Sequence, residues 1–181
     1  MTPRMPGTSW AALLRGLTLA TLVVMVDQTT KLWALGTVFD PPRRIEVLPV
    51  LNITPVWNRG VSFGLLASDS PWAPWLLSGF ALAVVVVMVV WLARARGPAL
   101  IYGLGMVIGG AIGNVIDRVR LGAVIDFIDA YWGDLHWPAF NMADVAITLG
   151  VGLLLLDAFG VGSGPPSDPR ETERGKATDD E

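Results

Sequence analysis

Acids, amides and an arginine are concentrated in one part of a sequence that is otherwise strongly apolar. Three motifs carry them: Gly-Asn-Val-Ile-Asp-Arg at 113–118, Val-Ile-Asp-Phe at 124–127 and Phe-Asn-Met-Ala-Asp at 140–144. Ionisable groups beside membrane-like segments are energetically costly and therefore indicate a functional site. Two neighbouring carboxylates share one proton, so the ionised member can activate a water while the protonated member polarises a carbonyl. We predict that Asp126 and Asp144 form such a pair and hydrolyse a peptide bond at the membrane surface.

Each of these acids also has a structural alternative. Asp126 alone is consistent with a solvated loop acid, and Asp144 at the start of a helix is consistent with a charge that the helix dipole favours. Asp117 beside Arg118 indicates an ion pair or a hydrogen-bond hub, but it is also the rival of Asp126 as the partner of Asp144. His136, the only histidine, is interpreted as a surface residue. One histidine among scattered acids does not form a usual zinc site, so we predict no metal.

The composition predicts an integral membrane protein. Hydrophobic residues make up 52% of the chain and charged residues only 16%, with a mean hydropathy of +0.53, whereas soluble domains carry about 25% charged residues. The tail at 163–181 holds six acids and three bases, which accounts for the net charge of -3. The nearly neutral body argues against a nucleic-acid partner. The absence of cysteine excludes thiol catalysis, disulfides and cysteine-ligated metals.

Four apolar segments approach the ~20 residues that a bilayer-spanning helix needs. They are Trp10–Leu35, Trp72–Ala93, 99–116 and 139–160. A proline-rich connection with β-like patches at 36–70 follows the first segment, and a second outer loop at 119–138 precedes the last. We therefore predict one four-helix transmembrane domain over residues 1–162 and a disordered acidic tail over 163–181.

The arginine positions predict how the chain is oriented in the membrane, and this orientation predicts where the polar motifs meet. The arginines of the tight turn at 94–96 favour a cytoplasmic location for that turn and for both termini. The first span then carries Asp27 and Lys31 in its outer half, and the third span carries Asn114 and Asp117 to its outer end. Because the fourth span begins at the same outer level, with Asp144 in its first turns, the polar motifs should meet at the outer membrane boundary.

Two further motifs complete a recognisable pattern. They are Asp27-Gln28-Thr29-Thr30-Lys31 in the first span and Asn58-Arg59-Gly60-Val61-Ser62-Phe63 in the first outer loop. With all five motifs in order, residues 10–160 resemble the lipoprotein signal peptidase (signal peptidase II) family of bacterial membrane aspartic peptidases. The resemblance implies an all-α membrane protein with four transmembrane helices, a small extracytoplasmic β cradle from the first outer loop, and a second outer loop or short helix. It also implies a mobile lid at 128–138.

The family's residue roles carry over motif by motif. The resemblance assigns catalysis to Asp126 and Asp144. It implies a substrate-binding role for five residues: Asn58, Gly60, Asn114, Arg118 and Asn141. It implies a supporting role for three more: Asp27, Lys31 and Asp117. Val61 departs from the pattern, because a smaller alanine is expected there, and we expect it to narrow the substrate groove without touching the acids.

The implied activity is removal of the signal peptide from diacylglyceryl-modified prolipoproteins, with cleavage just before the lipidated cysteine. The resemblance further implies no metal or other cofactor, inhibition by globomycin-type peptides, and contact with membrane lipid. It places the chain in the bacterial cytoplasmic (inner) membrane with the site near the outer surface, and we expect a monomer. Two alternatives from other classes remain: a small transporter or proton- or cation-conducting subunit that uses the same acids, and a non-catalytic scaffold that binds lipoproteins.

Overall fold

The computed structural model describes residues 8–60 and 71–160, which form four helices and a small antiparallel sheet. The helices are α1 (Trp10–Thr37), α2 (Ala73–Leu92), α3 (Pro98–Leu121) and α4 (Met142–Ala158). The strands are β1 (Ile45–Leu48), β2 (Leu51–Asn58), β3 (Val124–Trp132) and β4 (Leu135–His136). The predictions for Val61 and for the tail at 163–181 concern positions outside the described residues.

Helix α3 is the centre of the bundle and contacts each of the other three helices. It begins at Pro98, whose fixed φ and missing N–H suit the first helical position. It ends at Gly122, which adopts a left-handed φ of 75° and donates its N–H to the Arg118 carbonyl oxygen. The helix therefore extends five residues beyond the predicted end at 116, so that Asp117 and Arg118 lie within it.

The glycines of α3 allow its neighbours to approach closely. A Cβ atom at Gly109 would lie 2.6 Å from the Ala20 carbonyl oxygen of α1. A Cβ atom at Gly110 would lie 2.5 Å from the Ala143 carbonyl oxygen of α4. Because both obstacles are backbone atoms that cannot rotate away, these two positions require glycine for helix packing of the kind seen in membranes.

Three helices in the described part of the chain, α1, α2 and α3, are long and apolar enough to cross a membrane. Helix α2 is the most apolar, with a mean hydropathy of 2.5 over its best window. Its large side chains Leu76, Phe80 and Val87 are exposed, as expected for a face that contacts lipid. Helix α4 is shorter, at 17 residues.

The sheet combines the α1–α2 and α3–α4 connections in the strand order β1-β2-β3-β4, and neighbouring strands are antiparallel. The prediction of a second outer loop or short helix is therefore wrong, because residues 124–132 form the strand β3. A run of β-branched and aromatic side chains around Asp126 favours a strand, and three of them, Val124, Ile125 and Phe127, are buried. The predicted lid at 128–138 comprises the end of β3, a turn and β4, and its motion stays a prediction.

An apolar contact fixes the sheet on the C-terminal end of α1. Ala34 and Val38, at and just after the end of that helix, pack with Ile125 and Phe127 of β3. All four side chains are buried. The sheet consequently lies over the level at which α3 ends and α4 begins, where the polar motifs are found.

Candidate active site

Asp126 lies near the start of β3, and it is almost fully buried, with 2% of its surface exposed. Its Oδ2 accepts a hydrogen bond of 2.9 Å from the amide of Asn58, which lies at the end of the neighbouring strand β2. Its Oδ1 accepts one of 2.6 Å from the amide of Asn141. The two amides, one from a residue before Asp126 in the chain and one from a residue after it, hold the carboxyl group in one orientation.

Asp144 lies in the first turn of α4 and forms a capping box with Asn141. The Asn141 side-chain oxygen accepts the Asp144 backbone N–H at 3.1 Å, and Asp144 Oδ2 accepts the Asn141 backbone N–H at 3.1 Å. Such reciprocal bonds satisfy N–H groups that a helix start leaves without partners. Asp144 therefore lies at a helix start, as the structural alternative described. Asn141, which caps this helix, also donates a hydrogen bond to Asp126.

Backbone pairing places Asn141 beside Asp126. The preceding residue, Phe140, exchanges two backbone hydrogen bonds with Ile128 of β3, of 2.9 and 3.0 Å, and accepts a third from Phe127. The chain that enters α4 is thus aligned along β3 before the helix begins. Consequently the strand that carries one carboxylate also positions the helix that carries the other.

Asn114 connects this pair to a buried lysine. Its amide nitrogen donates to Asp144 Oδ1 at 3.0 Å. Its oxygen accepts from Lys31 Nζ at 2.9 Å and from the Asn141 amide at 3.2 Å. Asn114 and Asn141 are both buried, so their amides form a continuous polar network between the two carboxylates in a site that excludes most water.

Lys31 is the centre of a second group of charges behind the carboxylates. Its Nζ lies 2.9 Å from Asp27 Oδ2 and 2.8 Å from Asp117 Oδ2, and all three side chains are at most 2% exposed. With Asn114 this accounts for the three donors of the ammonium group. Gln28 completes the group, since its amide nitrogen donates to Asp27 at 3.2 Å and to Asp117 at 3.0 Å.

These charges also hold the neighbouring backbone. Asp27 Oδ1 accepts the Ala143 N–H of α4 at 2.9 Å, and Asp117 Oδ2 accepts the Ile125 N–H of β3 at 3.2 Å. One carboxylate from α1 and one from α3 therefore position the two elements that carry the candidate pair. Each acceptor satisfies a backbone donor that would be costly to bury alone.

Arg118 fixes the described end of the first outer connection. One of its terminal nitrogens donates to the Gly60 carbonyl oxygen at 3.1 Å, and the other lies 3.4 Å from the Asn114 carbonyl oxygen of its own helix. The Gly60 N–H donates in turn to the side chain of Asn58 at 3.0 Å. Arg118 thus anchors the turn that presents Asn58 to Asp126.

Burial, and after it the negative charge of Asp144, together raise the pKa of Asp126 from its ordinary 3.8 to about 7. Hydrogen bonds from Asn58 and Asn141 oppose this rise, as does the more distant charge of Lys31. Desolvation and a like charge are the two causes expected for one member of a carboxylate pair. A substantial fraction of the protein accordingly keeps a proton on Asp126 at neutral pH.

Both carboxylates line one groove of about 770 Å³. Its walls come from β2, from the segment before α4 and from the first two turns of α4. Most of the wall is apolar, with Val56, Trp57 and Phe140 near the carboxylates. The groove also contains Asn58 and Gly60, whereas Asp117 does not line it and instead binds Lys31.

The structure brings together every residue that the sequence singled out for the site. The network described above includes Asp27, Lys31, Asn58, Gly60, Asn114, Asp117, Arg118, Asp126, Asn141 and Asp144. Sequence reasoning gave no role to Gln28, although its position beside Asp27 in a predicted motif was the available signal. Among residues 8–60 and 71–160, no group of three or more histidine or acidic side chains is placed to hold a metal ion.

His136 belongs to a separate group on the sheet. Its exposed ring lies 2.7 Å from Asp129 Oδ1 and stacks on Tyr131, while Asn52 donates to Asp129 Oδ2 at 3.0 Å. Burial alone would raise the pKa of Asp129, but the bonds from His136 and Asn52 and the charges of His136 and Arg44 outweigh it and hold the pKa below 3.8. His136 therefore stabilises the β3–β4 hairpin, away from the carboxylate groove.

Comparisons with known proteins agree on one family. The family model described as Signal peptidase (SPase) II matches residues 19–160. The lipoprotein signal peptidase of Caulobacter vibrioides is 48% identical over 78% of this chain and 84% of its own length. That of Vibrio cholerae is 41% identical over 85% of this chain and 92% of its own length.

Solved structures show the same fold. A bacterial membrane enzyme determined by the in meso method superposes with a TM-score of 0.73 at 26% identity, covering 91% of this chain and 98% of its own. A second such structure has a TM-score of 0.66 at 27% identity and covers 86% and 97%. The family model covers the whole site network, and together with these relatives and folds it shows that this chain belongs to the signal peptidase II family of membrane aspartic peptidases.

Proposed function

We propose that Asp126 and Asp144 hold one water between them and hydrolyse the bond that precedes the diacylglyceryl-modified cysteine of a prolipoprotein. Cleavage of prolipoprotein signal peptides is the activity of the family to which the chain belongs. The observation that carries the residue assignment is that both carboxylates line one groove and are both bonded by Asn141.

The environments of the two carboxylates suggest a division of roles. The raised pKa of Asp126, about 7, suits it to hold the shared proton and polarise the scissile carbonyl. Asp144 accepts two N–H bonds in the first turn of α4, where the helix dipole stabilises a negative charge. We assign Asp144 as the base that removes a proton from water, while the proton on Asp126 passes towards the carbonyl oxygen. The tetrahedral intermediate then collapses: Asp144 gives the proton that it took from water to the leaving amine nitrogen, the C–N bond breaks, and the proton on the former carbonyl oxygen returns to Asp126.

The amides position the pair. Asn58, Asn114 and Asn141 each donate to a carboxylate, which supports a positioning role beside the substrate-binding role that the sequence predicted for them. We propose that Gly60 and Arg118 hold the rim of the groove, because Arg118 bonds the Gly60 carbonyl. Asp27, Lys31 and Asp117 support the site from behind through their buried ion pairs.

A four-span topology fits this site. α4 has 17 residues, at the lower limit of the lengths that cross a bilayer. We propose that it is the fourth span of one domain over residues 1–162, with both termini cytoplasmic and the groove at the outer surface of the inner membrane. We further propose that the chain acts as a monomer, that globomycin-type peptides compete for the groove, and that the tail at 163–181 takes no part in catalysis.

Two carboxamide substitutions test the assignment. Asp126→Asn and Asp144→Asn should each abolish cleavage of a lipidated prolipoprotein in detergent, and Asp134→Asn, in the exposed turn before β4, is the matched control. Asp117→Asn should weaken the folded protein rather than remove the chemistry, because Asp117 pairs with Lys31. Undiminished cleavage by a folded Asp126→Asn or Asp144→Asn variant would refute the role of that residue.

A further inference from the structure

A second, smaller groove lies where α1 and α4 meet over α3. Its volume is about 250 Å³, against about 770 Å³ for the groove that contains the carboxylates. Every lining side chain is apolar, with Leu22 and Val26 from α1, Met106 from α3, and Met142 and Ala146 from α4 among them. These side chains offer a peptide backbone no hydrogen-bond partner, so the chemistry of the groove fits a hydrocarbon chain.

The two grooves share one ridge of α4. Val145 and Leu149 line both, and residues four apart are neighbours on a helix surface. Asp144 lines the larger groove and Met142 lines the smaller one, so the smaller groove opens within one turn of the carboxylate. From Met142 to Leu149 it follows α4 for about 10 Å, at ~1.5 Å per residue.

We propose that the smaller groove binds one acyl chain of the diacylglyceryl group on the substrate cysteine. This inference rests on the proposed function, which places that cysteine beside Asp126 and Asp144. The two ester-linked chains then pass on either side of the Val145–Leu149 ridge, one along the apolar wall of the larger groove and one in the smaller groove. The ridge thereby distinguishes a cysteine that carries two chains from one that carries a single chain.

Selection of this kind depends on shape. Surrounding lipid tails are as apolar as the groove, so transfer of a chain from lipid into the groove gains little hydrophobic free energy. What the groove adds is a fixed path for the chain, which restrains the attached cysteine and aligns the scissile bond with the carboxylates. A blocked groove should therefore lower the rate of cleavage for a two-chain substrate and leave a one-chain substrate unaffected.

The test uses two synthetic lipopeptides of one sequence, with S-diacylglyceryl or S-monoacylglyceryl cysteine, and the full chain in detergent. Ala146→Phe fills the groove from its buried side, and Leu22→Trp fills it from its mouth, where Leu22 is 52% exposed. Leu22→Trp keeps the test decisive if Ala146→Phe does not fold. Leu82→Trp, at a 46% exposed position on α2, is the matched control.

We expect either groove variant to lower kcat/KM for the diacyl substrate about tenfold, the lower end of what methylene-sized changes in apolar pockets produce. The monoacyl substrate and the Leu82→Trp control should retain wild-type values. Equal losses on both substrates, or no loss on either, would overturn the inference and assign the groove to helix packing or to bulk lipid. A wild-type protein that cleaves neither lipopeptide would instead refute the proposed function, and this inference with it.

Discussion

Raising the pH through neutrality should remove the proton that we propose the two carboxylates share. Asp126 is 2% exposed and its pKa is raised to about 7 by burial and by the charge of Asp144. If catalysis needs one protonated and one ionised carboxyl group, kcat/KM should fall tenfold per pH unit above an apparent pKa near 7.

The same proton links pH to stability, and the sign follows from the direction of the pKa change. The folded protein keeps a proton on Asp126 that the unfolded chain releases near pH 3.8. The contribution of Asp126 to the free energy of unfolding is therefore largest below pH 4, and it declines as the pH rises towards 7. The difference between 3.8 and about 7 corresponds to about 4 kcal/mol, at about 1.4 kcal/mol per pH unit.

Two measurements check this reasoning. The first is kcat/KM on a lipidated substrate between pH 5 and 9, and the second is the Tm in detergent between pH 4 and 8. Across the second range the contribution of Asp126 amounts to a Tm decrease of about 10 °C, which Asp126→Asn should remove and Asp134→Asn should retain. A kcat/KM that stays level from pH 7 to 9, or the same Tm profile with and without the Asp126 carboxyl, would refute the shared proton.

Three further substitutions have clear expected outcomes. Lys31→Met should cost about 3–5 kcal/mol, because it leaves two buried carboxylates without their cation; a Tm within 2–3 °C of the wild type would contradict this. Gly109→Ala should lower the Tm, since the new Cβ would lie 2.6 Å from the Ala20 carbonyl oxygen, whereas Gly79→Ala has open space and should not; equal Tm values for the two would refute the packing argument. Asn141→Ala should lower kcat, and this loss, expressed as an activation free energy, should exceed the about 1 kcal/mol of stability lost with the helix cap. A lower Tm with normal kcat would show that Asn141 serves the helix alone.

The convergence of the polar motifs could be predicted from the sequence because it depends only on where helices start and end. Once the four apolar segments are oriented, their outer ends must meet at one level, and the structure places Asn114 at the end of α3 against Asp144 at the start of α4. The glycines of α3 favour close helix packing on the same grounds, since small residues in an apolar segment have few uses besides close packing. These inferences need no knowledge of individual contacts.

The strand β3 could not be predicted in the same way. A short apolar run with an acid inside it is ambiguous between strand and helix, and only its partner decides. That partner is β2, seventy residues earlier in the chain, which pairs Trp57 with Ile125 and Asn58 with Val124. The sequence consequently identified Asp126, whereas the loop or short helix that the resemblance implied around it was wrong.

The partner of Asp117 shows a second limit. Arg118 is adjacent in sequence and suggests an ion pair, but adjacent residues on a helix point in different directions. Asp117 instead binds Lys31 of α1, while Arg118 binds the Gly60 carbonyl of the first outer connection. Gln28 was missed for the same reason, because its contact with Asp117 joins helices that are far apart in sequence.

The identity of residue 114 follows from the two charges on either side of it. Lys31 can only donate hydrogen bonds, so the oxygen of Asn114 must face it, and this leaves the amide nitrogen to face Asp144. A carboxylate at 114 would satisfy Lys31 but would repel Asp144, and an apolar side chain would leave both groups without a buried partner. An amide satisfies both, and the buried cation thereby determines that the nitrogen end of the Asn114 amide faces Asp144.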